Sequence, residues 1–207
     1  RGDFNRSIFN KRFLLSLKVN RKVIRKSYIL ITNRHFPAKR LDLGIKLMSK
    51  LKTSTKVNLV ITGAETGYTD QVKNLARKLK VNDQVVYTGL VDEKELSKLY
   101  QNALVYVYTA PEEDYGLGIL EAAAFGVPSV VWDNAGPSYL VLDGKTGYKV
   151  TPADINEFAS KVERIIIDKD LNFRLARAAF DFSKNFSWEN HGKILERWLR
   201  KTIKANE

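Results

Sequence analysis

The chain has 207 residues, 44% hydrophobic and 28% charged, a balance that excludes an intrinsically disordered polypeptide. It has no cysteine, which excludes disulfides and cysteine-ligated metal sites, and no apolar run reaches bilayer length. The net charge is +12, and between Arg1 and Arg40 the only acid is Asp3, a bias that favours an anionic partner: nucleic acid, an anionic membrane or a phosphorylated small molecule.

In chain order, "RGDFNRSIFNKR" lacks the continuous apolar stretch of a signal peptide. Ile8 or Phe9, Phe13 and Leu17 fall near helical spacing and predict a short basic amphipathic helix over 8–17. "SYILIT" predicts a buried strand, "NRHFPAKR" a loop interrupted by Pro37, and "LDLGIKLMSKL" a helix. The alternation then repeats. "VNLVIT" is a strand, "GAETG" a loop, and "TDQVKNLARKLK" a helix with Val72, Leu75, Ala76 and Leu79 on one face. "QVVYTG" is a strand, "DEKELSKLYQNA" a helix with early acids suited to its dipole, and "LVYVYT" a strand. A loop and helix follow over 111–125, then the strand "PSVVW" and a short last strand "TGYKV". Helices run over 155–168, 171–185 and 188–204, the last with Ser187 as its N-cap.

Strands alternating with helices at this spacing predict an α/β fold: a parallel sheet of about six strands with helices on both faces. Ligands of such sheets bind beyond the carboxyl ends of the strands, here the loops at 33–39, 63–67, 89–92, 109–118 and 133–138.

The densest of these is "PEEDYGLGILEAAAFGVPSVV". Gly116 and Gly118 bracket Leu117 where a helix through Ile119–Phe125 begins. A helix N-terminus with glycine is a natural phosphate seat, and equally a strand-to-helix turn needing glycine only for its φ angles. Glu113 and Glu121 flank the turn. Both suit a helix start as solvated acids, but Glu121 lies about one turn into the helix, where a carboxylate can accept two ribose hydroxyls. Glu113 would face whatever lies beyond the phosphates. Arg34 and Lys39, after the first strand, are either a solvated basic loop or the cations that a diphosphate needs.

Other patterns carry less. "IIIDKD" ends in an Asp-x-Asp that could hold a divalent metal, but Phe158, Val162, Ile165 and Ile166 fit a helical face and put Asp168 and Asp170 at a helix–helix turn. No metal site is expected. Gly144-Lys145-Thr146 lacks the glycine that a Walker loop needs at position 139, where Tyr139 stands. His35 and His191 are too far apart for a local ligand motif, and His35 is expected in a solvated loop beside the site. Tyr106, Tyr108 and Trp132 read as core or cleft lining, not as a nucleic-acid stacking row.

The stretch around Glu113 resembles the signature of the family-4 retaining glycosyltransferases, the glycosyl transferases group 1 set with the GT-B fold. Glu113, Gly116, Glu121, Ala122, Gly126 and Pro128 fit its pattern, with Tyr115 as the aromatic. "ITNRHFPAK" resembles the family's Gly-Arg-x-x-x-x-Lys loop, with Asn33 in place of the glycine. "VVYTGLVDEKELSKLYQNALVYVYTA", "AGPSYLVLDGKTGYKV" and "FSWEN" match later landmarks in order. The sequence departs from the family at "GAETGY", at Tyr139, where many members carry glutamate, and at Arg40, where glycine is usual.

The resemblance implies the second of two Rossmann-like domains, the one that holds a nucleotide diphosphate sugar. It implies Arg34 and Lys39 on the diphosphate, with the Gly116, Leu117 and Gly118 backbone on the phosphates and donor sugar. Glu121 would bind the ribose, Glu113 would lie near the transferred sugar, and Leu90 and Val91 would contact the base. Residues 1–25 would then be a basic helical lead-in after an interdomain linker, 26–186 the donor domain, and 187–207 a helix packing on an acceptor domain absent from this chain. The expected activity is retaining transfer of a hexose-type sugar from UDP or GDP to a glycan or lipid-linked acceptor, with no cofactor or metal. Same-face attack with the diphosphate oxygen as base is expected, and a nucleophilic Glu113 stays open. Nucleic acid is not an expected partner. The expected location is cytoplasmic, at the cytoplasmic membrane face if the basic lead-in meets an anionic bilayer. Two alternatives stay open: a basic α/β module binding RNA or an anionic surface, and a phosphorylase or epimerase on a similar fold.

Overall fold

A computed structural model describes residue 4 and residues 6–12, 16–24, 27–52 and 57–204. Its elements begin with helix α1 (Arg6–Lys11) and strands β1 (Leu17–Val19), β2 (Lys22–Ile24) and β3 (Tyr28–Thr32). Then come α2 (Leu41–Lys50), β4 (Asn58–Thr62), α3 (Gly67–Lys78), β5 (Val85–Gly89), α4 (Glu93–Asn102) and β6 (Val105–Tyr108). The remainder is α5 (Leu117–Ala124), β7 (Ser129–Trp132), α6 (Ala135–Tyr139), β8 (Gly147–Val150), α7 (Ile155–Ile167), α8 (Lys169–Ser183) and α9 (Trp188–Lys204).

Six strands form one parallel sheet in the order β5-β4-β3-β6-β7-β8. The chain winds outward from β3 to β5, returns to the centre, and winds outward again from β6 to β8. The carboxyl ends of β3 and β6 therefore diverge into loops that turn opposite ways, the switch point at which such sheets hold ligands. Strands β6 and β7 are buried along their whole length, because helices cover both faces and apolar side chains must fill both. Edge strand β5 is only half-buried.

On one face α2, α3 and α7 bury Leu41, Ile45, Val72, Phe158 and Val162. On the other, α4 and α5 bury Leu99, Tyr100, Ile119 and Ala122. Each fully buried large side chain contributes about 1.5–3 kcal/mol of transfer free energy. Asp168 caps α8, its Oδ1 accepting from the N–H groups of Asp170 at 3.1 Å and Leu171 at 2.9 Å, so the Asp-x-Asp pattern is a helix start. Ser187 Oγ accepts from Asn190 N–H at 3.2 Å and caps α9 as its position predicts.

The amino-terminal region departs from the expected helix over 8–17. Helix α1 ends at Lys11, and Leu17 opens a β1–β2 hairpin. Its turn places Asn20 at φ 45° and Arg21 at φ 62°. Two successive left-handed residues are what a two-residue hairpin turn needs, and asparagine is among the few side chains that tolerate it. Phe13 lies outside the described residues.

The lead-in is packed onto the domain. Phe4 stacks on Phe173 and Phe180 at centroid distances of 6.3 and 5.8 Å. The buried Arg12 guanidinium donates to the carbonyls of Gln101 (3.0 Å), Gly126 (2.8 Å) and Phe125 (2.5 Å), at the carboxyl ends of α4 and α5. These carbonyls lack intrahelical donors and carry the negative end of the helix dipole, so they satisfy a cation without a carboxylate. Burial brings the Arg12 pKa down to about 10, which leaves it charged at neutral pH.

Helix α9 presents Trp188, Ile194, Leu195, Trp198, Leu199 and Ile203 to solvent, at exposures from 51% to 91%. Among the described residues, no helix is long and apolar enough to cross a membrane.

Candidate functional site

At the switch point, the loop after β3 ends in a single 3-10 turn, Pro37–Lys39. The loop after β6 faces it, and Thr109 Oγ1 donates to the Lys39 carbonyl at 2.9 Å. Lys39 Nζ forms an ion pair with Glu113 Oε2, which also accepts from the Tyr108 hydroxyl at 2.7 Å. Burial pushes the Glu113 pKa up, but the bonds from Lys39 and Tyr108 outweigh it and hold the carboxyl below its ordinary value.

The Glu113 loop is fixed from behind. Asn134 Nδ2 donates to the Pro111 carbonyl at 2.5 Å, and Gly136 N–H to the Glu113 carbonyl at 2.9 Å. A Cβ at Gly136 would overlap the Asp114 carbonyl, so only glycine lets the two loops approach this closely.

The two glycines of the turn serve different local ends. Gly116 has φ 93° and caps the amino end of α5. Gly118 is needed for space: a Cβ there would overlap the Tyr106 hydroxyl and sit 3.2 Å from Thr32 Oγ1. Leu117, between them, is exposed. The first N–H groups of a helix have no intrahelical acceptor and concentrate partial positive charge, so α5 opens its amino end toward the switch point. One turn along α5, Glu121 Oε2 accepts from the Tyr100 hydroxyl at 2.7 Å. The Tyr100 oxygen lies 2.7 Å from Thr32 Oγ1, which is 2.9 Å from the Tyr106 hydroxyl.

A cleft of about 250 Å³ lies beside these groups, lined by Thr32, Asn33, Arg34, Thr62, Leu90 and Val91 among others. Arg34 is exposed, with no ion-pair partner among the described residues. Asn20 Nδ2, on the hairpin turn, donates to the carbonyls of Thr88 (2.9 Å) and Leu90 (2.8 Å), tying down the loop that carries Leu90 and Val91. A larger hollow of about 580 Å³, lined by Lys145, Phe173, Arg174 and Phe182 among others, lies near the turn before β8. It is at the amino end of that strand, away from the switch point.

His35 differs from expectation. It is buried, its Nδ1 3.0 Å from Thr69 Oγ1, and burial pulls its pKa down. It supports the loop from below and is not solvated.

The structure thus joins Lys39 to Glu113 directly and places Arg34, Leu90 and Val91 on one cleft. Thr32 connects that cleft to Glu121 through Tyr100 and underlies Gly118. Thr32, Tyr100 and Asn20 went unrecognised as site residues in the sequence, and Tyr108 was read only as core or cleft lining. The one available signal was Tyr106 and Tyr108, two hydroxyls on one side of a strand at its carboxyl end.

Comparisons with known proteins bear on the family and the fold. A model of the family described as "Glycosyl transferases group 1" matches residues 16–182. An uncharacterised glycosyltransferase of Methanocaldococcus jannaschii is 31% identical over 168 residues, 80% of this chain and 42% of that protein. An alpha-1,3/1,6-mannosyltransferase of Dictyostelium discoideum is 28% identical over 160 residues, 69% of this chain and 38% of that protein. The crystal structure of a TarM mutant of S. aureus in complex with fondaparinux, alpha-GlcNAc-glycerol and UDP is similar with a TM-score of 0.74 at 26% identity. That similarity covers 84% of this chain and 34% of the other. The chain spans less than half the length of each of these relatives.

Proposed function

Because the chain belongs to the glycosyl transferases group 1 family, we propose that it forms the donor-binding half of a retaining hexosyltransferase using UDP- or GDP-sugars. The observation that carries this reading is the Lys39–Glu113 pair beside the open amino end of α5 at the sheet's switch point. That arrangement lines up a cation, an anion-binding helix end and two carboxylates along one elongated ligand.

In this reading Arg34, Lys39 and the N–H groups at Gly116–Gly118 hold the diphosphate and stabilise its departing charge without a metal ion. Glu121 accepts from the ribose hydroxyls. Leu90 and Val91 pack against the base. Glu113 accepts from Tyr108 and Lys39 at Oε2, which draws charge from that oxygen and blunts it as a covalent nucleophile, while its ionised form is a good acceptor for sugar hydroxyls. The bond between the sugar's anomeric carbon and the diphosphate breaks, and the acceptor oxygen bonds that carbon on the same face. The acceptor's proton passes to a diphosphate oxygen. The UDP of the TarM complex supports a uridine donor, and the mannosyl transfer named for the Dictyostelium relative supports a hexose as the sugar.

The lead-in (1–25), donor domain (26–186) and final helix (187–207) then belong to a larger two-domain enzyme. The exposed apolar side of α9 packs on the acceptor-binding domain, which supplies a glycan or lipid-linked acceptor at the cytoplasmic side of a membrane. Calorimetric titration with UDP, GDP and ADP tests the donor reading. Saturable binding of UDP or GDP is expected, weakened by Arg34→Ala and by Glu121→Ala. A chain that binds none of the three overturns the function, and unchanged affinity in both variants overturns the site.

A further inference from the structure

Glu121 is anchored from inside the domain by a chain of hydroxyls. Tyr100, on α4, is buried, and its oxygen lies 2.7 Å from both Glu121 Oε2 and Thr32 Oγ1. An ionised carboxylate can only accept, so Tyr100 must donate to Glu121. Having spent its one hydrogen, the Tyr100 oxygen accepts from Thr32 Oγ1, which in turn accepts from the Tyr106 hydroxyl at 2.9 Å. One charge thus sets the direction of three hydrogen bonds. Burial drives both phenols well above their ordinary pKa, so each keeps the proton the chain requires.

The anchor is stiff. The Tyr100 ring stacks on Phe125 at a centroid distance of 5.6 Å and an interplanar angle of 6°. It also meets the Tyr106 ring at 5.9 Å, so the hydroxyl cannot swing without unpacking the core. Glu121 itself is exposed. Its Oε2 is held from within, and its Oε1 takes no hydrogen bond from another described residue.

We propose that Tyr100 is the positioning residue that sets this site's preference for a ribonucleotide over a nucleotide lacking the ribose hydroxyls. With Oε2 fixed, the plane of the Glu121 carboxylate is fixed, and its remaining lone pairs meet a vicinal diol in one geometry. A carboxylate free to rotate would accept either hydroxyl or water equally well. Neither Tyr100 nor Thr32 needs to touch the ligand. The inference rests on the donor reading of Glu121.

The test compares binding of the ribonucleoside diphosphate, UDP or GDP according to which binds, with its 2′,3′-dideoxy analogue. Wild-type chain should favour the ribose form by about tenfold or more, and Tyr100→Phe, which keeps the ring, should cut that ratio by about fivefold. Affinity for the dideoxy form should barely move, which also shows that the variant is folded. Thr32→Ser, which keeps the hydroxyl chain, should keep the wild-type ratio. If wild type discriminates and Glu121→Ala does not, an unchanged ratio in Tyr100→Phe overturns the Tyr100 assignment alone. So does an equal loss of both ligands, which marks a purely structural role. If wild type shows no preference, or Glu121→Ala retains it, the ribose assignment of Glu121 fails and this inference fails with it.

Discussion

Lys39 and Glu113 meet across the switch point as an ion pair, with side-chain exposures of 27% and 22%. A bound diphosphate has the same sign as Glu113, so the two anions compete for one ammonium. Lys39→Ala should lower the affinity for a nucleoside diphosphate by about tenfold, and for the monophosphate by less. Glu113→Gln should have the opposite sign, tightening the diphosphate by about threefold because Lys39 is released. Transfer by the complete enzyme should still fall in Glu113→Gln. Calorimetry of the two variants decides the point, and weaker diphosphate binding in Glu113→Gln would show that the pair cooperates.

Gly118 has no spare volume on its Tyr106 side. Gly118→Ala should destabilise the chain by about 2 kcal/mol, since the phenol beneath it is buried and locked in the hydroxyl chain. Tyr106→Phe removes the oxygen that the new methyl would strike. The double variant should therefore be more stable than Gly118→Ala alone in urea unfolding, and additive losses would contradict this account.

Asp42 accepts from Arg40 at 2.9 and 3.1 Å, from Lys46 at 3.1 Å and from the Tyr68 hydroxyl at 3.0 Å. Burial raises its pKa, but these bonds outweigh it and bring the value from 3.8 down to about 2. A folded pKa below the unfolded one means stability that is complete above pH 4 or so. That stability drains as pH falls through about 2. The amount is ~2 kcal/mol at most. Asp42→Asn should lose stability at neutral pH and show a flatter decline between about pH 4 and about pH 2. Urea midpoints across that range measure it, and a decline as steep as the wild type's would assign the acid sensitivity elsewhere.

Asn20 holds the Leu90 loop through two side-chain hydrogen bonds while itself in a left-handed conformation. Asn20→Ala removes both bonds and the tolerance for that conformation. Nucleoside diphosphate binding should weaken about threefold, with inorganic diphosphate binding unchanged. Faster amide exchange at Leu90 and Val91 should accompany the loss. Equal weakening of both ligands would place the effect in global stability.

The sheet was legible because strands covered on both faces write uninterrupted apolar runs, as at Tyr28–Thr32 and Val105–Tyr108. Glu113, Gly116, Gly118 and Glu121 were legible as one cluster at a strand's carboxyl end because they lie within one short stretch of sequence. What supports them was not. Tyr100 reaches Glu121 across 21 residues and Thr32 across 68, and neither position differs from an ordinary core residue until the chain is folded. The hairpin was hidden because its turn uses Asn20-Arg21 with no glycine, so Leu17 could be counted toward a helical face. His35 looked solvated because its partner Thr69 is 34 residues away.

Arg12 clasps the carbonyl end of the helix whose amino end opens at the switch point. A cation at the carbonyl pole and an anion at the amide pole both draw on the same row of peptide dipoles, so each steadies the axis that the other uses. A pull on the lead-in is therefore a pull on α5. Mechanically, the segment before the sheet is a tether fastened by one side chain to the carbonyl ends of both α4 and α5.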